Sequence, residues 1–131
     1  MVAVDPTHSD HILHECRILV VEDDYFLAME LVQMLRVLGG EVIGPFADGK
    51  GALQVLAERP LPNAAVLDVY IRDGNSFHVA DELSQLAVPF IFVTSAGFDI
   101  PLRHAACGVC AKPVTPVMLR RSLVEMLARQ A

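Results

Sequence analysis

An aspartate that ends a short apolar run is the residue in this chain best placed to do chemistry. The run Ala64-Ala65-Val66-Leu67 leads directly into Asp68, and turn-forming residues lie on both sides of the segment. Apolar runs of this length indicate a strand that is buried on both faces of a sheet. Such a strand has no structural need for a carboxylate at its end, whereas parallel α/β sheets place ligand-binding groups there. We therefore take Asp68 as the candidate reactive residue.

Other polar side chains follow apolar runs in the same way. Glu22, Asp23 and Asp24 follow the first run, Thr94 and Ser95 follow the fourth, and Lys112 follows the fifth. Because the carboxyl ends of parallel strands meet at one edge of a sheet, we expect these groups to converge near Asp68. Two like charges about 4 Å apart repel by about 4 kcal/mol at an effective dielectric constant of about 20. Clustered carboxylates therefore favour a bound cation, and oxygen ligands suit Mg²⁺.

A site of this composition could carry out phosphoryl chemistry. An aspartate can act as a nucleophile and form an aspartyl-phosphate. The acids would repel an incoming phosphoryl group, but Mg²⁺ and Lys112 would neutralise its charge, and the hydroxyl of Thr94 could bind a phosphoryl oxygen. Simpler roles exist for each group alone, since acids cap helices and lysines lie on surfaces. Their shared position at strand ends favours the functional interpretation.

Five apolar runs alternate with amphipathic segments along the chain. The predicted strands are Arg17–Val21, Glu41–Gly44, the run that ends at Asp68, Phe90–Val93 and Gly108–Ala111. The first predicted helix covers about Tyr25 to Leu38, and the others begin at the capping residues Asp48, Ser76 and Thr115. This alternation predicts a parallel sheet with helices on both faces.

Composition limits the class of protein. The chain has 131 residues, enough for about one domain, and a hydrophobic fraction of 53%. Its formal charge of −6 argues against nucleic acid as a partner. No apolar run approaches the roughly 18 residues that span a membrane, and the first residues do not resemble a signal peptide. We therefore expect a cytoplasmic protein that binds neither nucleic acid nor membrane.

The chain is predicted to form one domain with a short extension. Residues 1–15 are polar and are predicted to form a tail, and residues 16–131 are predicted to form the domain. His8, His11 and His14 could share a helix face and bind a metal, but a solvated tail is the preferred interpretation.

Four sequence segments together resemble one protein family. They are Val20-Val21-Glu22-Asp23-Asp24, Val66-Leu67-Asp68, Val93-Thr94-Ser95 and Ala111-Lys112-Pro113. In this order and spacing they closely resemble the receiver domains of bacterial response regulators, the CheY-like domains of two-component systems. The resemblance covers nearly the whole chain. It implies a flavodoxin-like fold, in which five parallel strands have the order 2-1-3-4-5.

The resemblance also implies a reaction. Asp68 would accept a phosphoryl group from a histidine kinase or a histidine phosphotransfer protein, and Thr94 and Lys112 would contact that group. The domain would support its own phosphorylation and dephosphorylation without being an enzyme in the usual sense. Its signal would leave through a protein partner or along a phosphorelay.

A metal site is implied at the same place. Asp23 would bind Mg²⁺ directly, together with Asp68 and the main-chain carbonyl of Tyr70, whereas Glu22 would act mainly through water. Asp24 belongs to the same acidic run but is expected to point away from the ion.

Several features depart from the usual receiver pattern. Val109 stands where most receivers carry an aromatic switch residue, and the loop after Asp68 is short and lacks the common proline. The sequence Pro-Phe-Ile-Phe-Val-Thr at residues 89–94 resembles an alphaproteobacterial subset of receivers with a Pro-Phe-x-Phe-x-Thr strand. The segment Ala96–Ala106 is short and poorly patterned, so we expect an irregular or short helix there that is mobile before phosphorylation.

Other interpretations remain open at this stage. The chain could be a binding module with the receiver fold that works without phosphorylation. An aspartyl-phosphate phosphatase is a weaker alternative, because those enzymes carry Asp-x-Asp where this chain has Glu-Asp-Asp. Cys107 and Cys110 have the spacing of a redox pair, but such pairs begin a helix, whereas this one runs into a predicted strand. The preferred interpretation is that the two cysteines are simply small residues, one of them buried.

Overall fold

The sheet brings five strands side by side in parallel. The computed structural model describes residues 11–95 and 100–130. The strands in chain order are β1 Arg17–Val21, β2 Glu41–Phe46, β3 Ala64–Asp68, β4 Tyr70–Ile71, β5 Gly74–Asn75, β6 Phe90–Thr94 and β7 Gly108–Ala111. The main sheet has the order β2-β1-β3-β6-β7, and β4 and β5 form a separate small hairpin. Without the hairpin this is the predicted order 2-1-3-4-5, which is confirmed.

In residues 11–95 and 100–130, four α-helices cover the two faces of the sheet. They are α1 Tyr25–Val37, α2 Gly49–Leu56, α3 Phe77–Gln85 and α4 Pro116–Gln130. Side chains of β3 alternate between the faces: Ala64 and Val66 pack into one core, and Ala65 and Leu67 into the other. The first core contains buried residues of α1 and α4, and the second contains those of α2 and α3. A sheet covered on both faces explains the high apolar fraction.

Three of the four helices begin at capping side chains. The carboxylate of Asp24 accepts a hydrogen bond from the Leu27 N–H, and Asp48 accepts one from the Gly51 N–H. The hydroxyl of Thr115 accepts one from Met118. These bonds satisfy donors that the first turn of a helix leaves free. The predicted cap at Ser76 is wrong in its chemistry: the residue stands at the start of α3, but its side chain makes no capping bond.

The predicted tail needs a correction at its end. Leu13 is fully buried in the core formed by α1 and α4, and its N–H donates to the carbonyl of Leu38. The packed region therefore begins before residue 16, because one large apolar side chain is enough to dock the turn at 11–15. Residues 1–10, including His8, lie outside the described residues.

The segment that follows β6 is short, as predicted, but it has an anchor. Its described part, residues 100–106, contains a three-residue 3-10 helix at Leu102–His104, and residues 96–99 lie outside the described part. The guanidinium of Arg103 donates two hydrogen bonds to the carboxylate of Asp81, and His104 Nε2 lies 2.8 Å from the same carboxylate. His104 is buried against Phe90 and Phe92. These contacts anchor this half of the segment, and its mobility before phosphorylation stays a prediction.

The two cysteines of the redox-like spacing lie in different cores. Cys110 belongs to the core beside α4, whereas Cys107 packs against the core on the opposite face of the sheet. Burial raises the pKa of both thiols, that of Cys107 to about 11. Both are therefore thiols at neutral pH, in agreement with the preferred interpretation. Among the described residues, no helix is long and apolar enough to cross a membrane.

Candidate functional site

Three carboxylates meet at the carboxyl edge of the sheet. Glu22 and Asp23 follow β1, and Asp68 ends the neighbouring strand β3, where Val21 is paired with Leu67. Ligand oxygens of these three residues all lie within 4.8 Å of one another. Glu22 and Asp68 are buried, and Asp23 is exposed. Among the described residues this is the only group of acids, histidines and cysteines close enough to share a metal ion.

Lys112 follows the edge strand β7, and its side chain reaches this cluster past β6. Its Nζ donates a hydrogen bond of 2.9 Å to Asp68 Oδ2 and lies 3.4 Å from Glu22 Oε1. Its backbone N–H donates to the carbonyl of Thr94, which fixes the start of the side chain beside β6. Burial acts to lower the pKa of Lys112, but the hydrogen bond and the charges of the two acids outweigh it and raise that pKa. The ammonium group is therefore a permanent positive charge at the site.

Glu22 is the strained member of the cluster. Burial, followed by the neighbouring carboxyl group of Asp68, raises its pKa from 4.5 to about 8. Its Oε2 accepts a hydrogen bond from the Asp24 N–H, whereas its buried Oε1 makes no hydrogen bond and faces the Lys112 ammonium at 3.4 Å. A buried carboxylate is costly unless cations compensate its charge, and Lys112 compensates this one only in part, because the pKa of Glu22 stays raised. The donor set, which consists of oxygens from three acids, fits a hard divalent cation such as Mg²⁺.

The remaining predicted residues lie at the same edge of the sheet. Thr94 is buried at the end of β6, one residue beyond Val93, which pairs with Asp68. Tyr70 begins the hairpin two residues after Asp68 and has an exposed side chain. The metal-binding role of its carbonyl stays a prediction. Asp24 caps α1 and lies outside the carboxylate cluster, as expected.

Sequence reasoning missed the role of Ser76. Its hydroxyl is fully buried and donates a 2.6 Å hydrogen bond to the main-chain carbonyl of Asp68. Its own N–H donates to the carbonyl of Val69. Ser76 therefore ties the start of α3 to the end of β3, where the reactive carboxylate lies. A serine before a helix is the usual signal of a cap, so the sequence carries no sign of this second use.

The arrangement suits nucleophilic chemistry at Asp68. Its carboxylate stands in a partly closed site, with a lysine on one oxygen and two further acids that can hold a cation. The lysine and a bound cation would together offset the charge of an anionic group brought to this oxygen. The same features would allow Asp68 itself to be the nucleophile and to form an acyl-phosphate.

Comparison with known proteins identifies the family. A scan against models of protein families finds none that matches the chain. The phyllosphere-induced regulator PhyR of Methylorubrum extorquens is 34% identical over 114 residues, which cover 84% of this chain and 43% of PhyR. The chain spans about half the length of the curated relatives it matches.

Solved structures agree in fold over nearly their whole length. The signal receiver domain of a diguanylate cyclase from Desulfovibrio desulfuricans G20 is 29% identical, with a TM-score of 0.76, and the match covers 88% of this chain and 95% of that domain. SdrG from Sphingomonas melonis Fr1 is 33% identical, with a TM-score of 0.76, and the match covers 86% of this chain and 96% of SdrG. Together with the site at the ends of β1, β3, β6 and β7, these likenesses show that the chain belongs to the receiver domains of two-component response regulators.

Proposed function

We propose that Asp68 accepts a phosphoryl group from a phosphohistidine in a reaction that requires Mg²⁺. The donor would be a sensor histidine kinase or a histidine phosphotransfer protein. The observation that carries this proposal is the 2.9 Å contact between Lys112 and Asp68 inside a cluster of three carboxylates. Receiver domains are signalling regulators. A lysine in contact with the acceptor carboxylate fits a role in phosphoryl transfer better than a purely structural role.

The transfer would proceed by attack of a carboxylate oxygen of Asp68 on phosphorus. The new oxygen–phosphorus bond forms as the bond between phosphorus and the histidine nitrogen breaks, and the imidazole keeps the electron pair. The Lys112 ammonium would neutralise charge on the phosphoryl oxygens, and the Thr94 hydroxyl would donate to one of them. Hydrolysis of the acyl-phosphate by water at the same site would end the signal.

Mg²⁺ would be held by Asp23, Asp68 and the carbonyl of Tyr70, with Glu22 acting mainly through water. When bound, the ion supplies the positive charge that lets an anionic donor approach the acids. The raised pKa of Glu22 supports this assignment, because it persists beside the Lys112 ammonium, 3.4 Å from Oε1, and a second cation would favour the ionised form.

The output would be a change in how this domain binds a protein partner or a phosphorelay component. Val109, which is partly exposed on β7, has no ring to move toward Thr94. The responsive element we propose is therefore Ala96–Ala106, the segment predicted from the sequence, which lies between the site residues Thr94 and Lys112.

A labelling experiment tests the acceptor. The protein is incubated with acetyl phosphate, with Mg²⁺ or with EDTA, and its intact mass is measured. We expect one added phosphoryl group only with Mg²⁺, lost in Asp68→Asn and kept in Asp24→Asn, since asparagine caps a helix as well as aspartate does. Equal labelling of Asp68→Asn would reject this acceptor. An unlabelled wild type that still binds its partner would favour the module that works without phosphorylation.

A further inference from the structure

The loop after Asp68 is attached to a helix that takes no direct part in the site. The strands β4 and β5 pair Tyr70 with Asn75 and Ile71 with Gly74, so Arg72 and Asp73 form the tip of a hairpin. The carboxylate of Asp73 accepts a 2.9 Å hydrogen bond from the Gly49 N–H through Oδ1 and a 3.3 Å bond from the Lys50 N–H through Oδ2. The tip of the hairpin is thus fastened to the start of α2.

Two carboxylates accept hydrogen bonds from the backbone N–H groups in the first turn of α2. Asp73 takes the N–H groups of Gly49 and Lys50, and Asp48 takes that of Gly51. These donors have no partner inside the helix, and the positive end of the helix dipole favours an anion there. The bond from Gly49 is the main cause that lowers the pKa of Asp73, so its carboxylate remains charged at neutral pH. Of these two carboxylates, Asp73 is the one that comes from a distant part of the chain.

The start of α2 also lies close to α3. A Cβ atom at Gly49 would meet the tip of the exposed His78 imidazole in the first turn of α3, which would have to shift. A main-chain bond from the Arg72 N–H to the carbonyl of Ala47 also holds the tip of the hairpin beside the start of α2.

The other end of the loop is closed at the site itself. Ser76 donates through its hydroxyl to the carbonyl of Asp68 and through its N–H to that of Val69. The chain from Asp68 to Ser76 is therefore fixed at its base by Ser76 and at its tip by Asp73. Tyr70, the predicted source of a metal-binding carbonyl, lies between these two fixed points.

We propose that Asp73 is a positioning residue, which fixes the loop after Asp68 against α2 and so sets the Tyr70 carbonyl for the cation. The inference rests on the proposed function of the site, because it concerns Mg²⁺ binding there. Asp73 touches neither the cation nor the phosphoryl group. It acts through the hairpin, and its loss would weaken the attachment of the hairpin that carries Tyr70.

The test compares two acids that cap the same helix. Asp73→Ala and Asp73→Asn remove or weaken the attachment of the hairpin, whereas Asp48→Asn changes a cap of α2 and leaves the hairpin attached. Mg²⁺ affinity is measured by calorimetry without any phosphoryl donor, and stability by urea unfolding in EDTA. We expect the dissociation constant for Mg²⁺ to rise by about tenfold in Asp73→Ala, as when an outer partner of a metal ligand is removed, and to change less than about twofold in Asp48→Asn.

The readouts separate the possible outcomes. A lower stability of Asp73→Ala with the Mg²⁺ affinity of the wild type would overturn the inference, since Asp73 would then be only a helix cap. If Asp73→Ala does not fold, the milder Asp73→Asn decides by the same criterion. A wild type that binds Mg²⁺ but is never labelled on Asp68 would reject the proposed function, while the comparison of the Asp73 and Asp48 variants would still decide the positioning role.

Discussion

The electrostatics of the site can be tested by replacing Glu22 with glutamine in the metal-free protein. The pKa of Glu22 is raised from 4.5 to about 8, first by burial and then by Asp68. Between these two pH values the folded protein keeps a proton on Glu22 that the unfolded chain has released. The contribution of Glu22 to stability is therefore fully present below about pH 4.5 and is lost as the pH rises through about 8. Glutamine has no such proton, so the variant should escape this loss.

The size of the effect follows from the pKa values. The difference between 4.5 and about 8, at about 1.4 kcal/mol for each pKa unit, sets an upper limit of about 5 kcal/mol. Water entry and relaxation around a newly buried charge reduce that penalty. The free energy of unfolding of Glu22→Gln minus that of the wild type should therefore increase by about 2 kcal/mol or more as the pH rises from about 5 to about 8.5.

The assay is urea unfolding at a series of pH values in EDTA. The wild type is compared with Glu22→Gln and with Glu58→Gln, whose exposed acid lies beyond the end of α2. All other groups whose protonation changes over this pH range are shared by the wild type and Glu22→Gln, so their difference isolates Glu22. Parallel stability curves for the wild type and Glu22→Gln would refute the assignment of Glu22 as the protonated, strained acid of the site.

Three further outcomes are expected. Millimolar Mg²⁺ should raise the melting temperature of the wild type, because a ligand at a hundredfold excess over its dissociation constant adds about 2.7 kcal/mol; Asp23→Asn should need more Mg²⁺ for the same effect and Asp24→Asn should not, and a melting temperature indifferent to Mg²⁺ would contradict the metal site. Ser76→Ala leaves the buried Asp68 carbonyl without its donor and should cost about 1–3 kcal/mol in urea unfolding, whereas Ser84→Ala on the exposed side of α3 should cost little; equal losses would show that the bond contributes nothing. Asp81→Asn should speed amide exchange at residues 102–107, which Glu82→Gln should leave unchanged, and a phosphoryl mimic with Mg²⁺ should slow exchange at residues 96–106; protection unaffected by either change would rule out a responsive segment there.

Strand positions and the residues at their ends could be read from the sequence. Short apolar runs mark strands, so the bounds of Arg17–Val21 and Gly108–Ala111 are predicted to the residue. Parallel strands share one carboxyl edge, and this rule alone places Glu22, Asp68 and Lys112 in one site. The caps at Asp48 and Thr115 also follow from local chemistry, because a cap depends only on neighbouring residues.

Tertiary structure decided the features that depend on residues far apart in the chain. Leu13 is buried because the turn at 11–15 packs against the end of α1. No local sequence pattern predicts this contact. Ser76 has the sequence signal of a cap, but burial beside the Asp68 carbonyl gives its hydroxyl a better partner. The anchor at Asp81 joins α3 to a segment with no helical period. The sequence by itself therefore determined which groups meet at the sheet edge, since that depends on strand direction. Only the packed structure decided how each group is held there, since each hydrogen bond depends on which distant donor and acceptor the fold buries together.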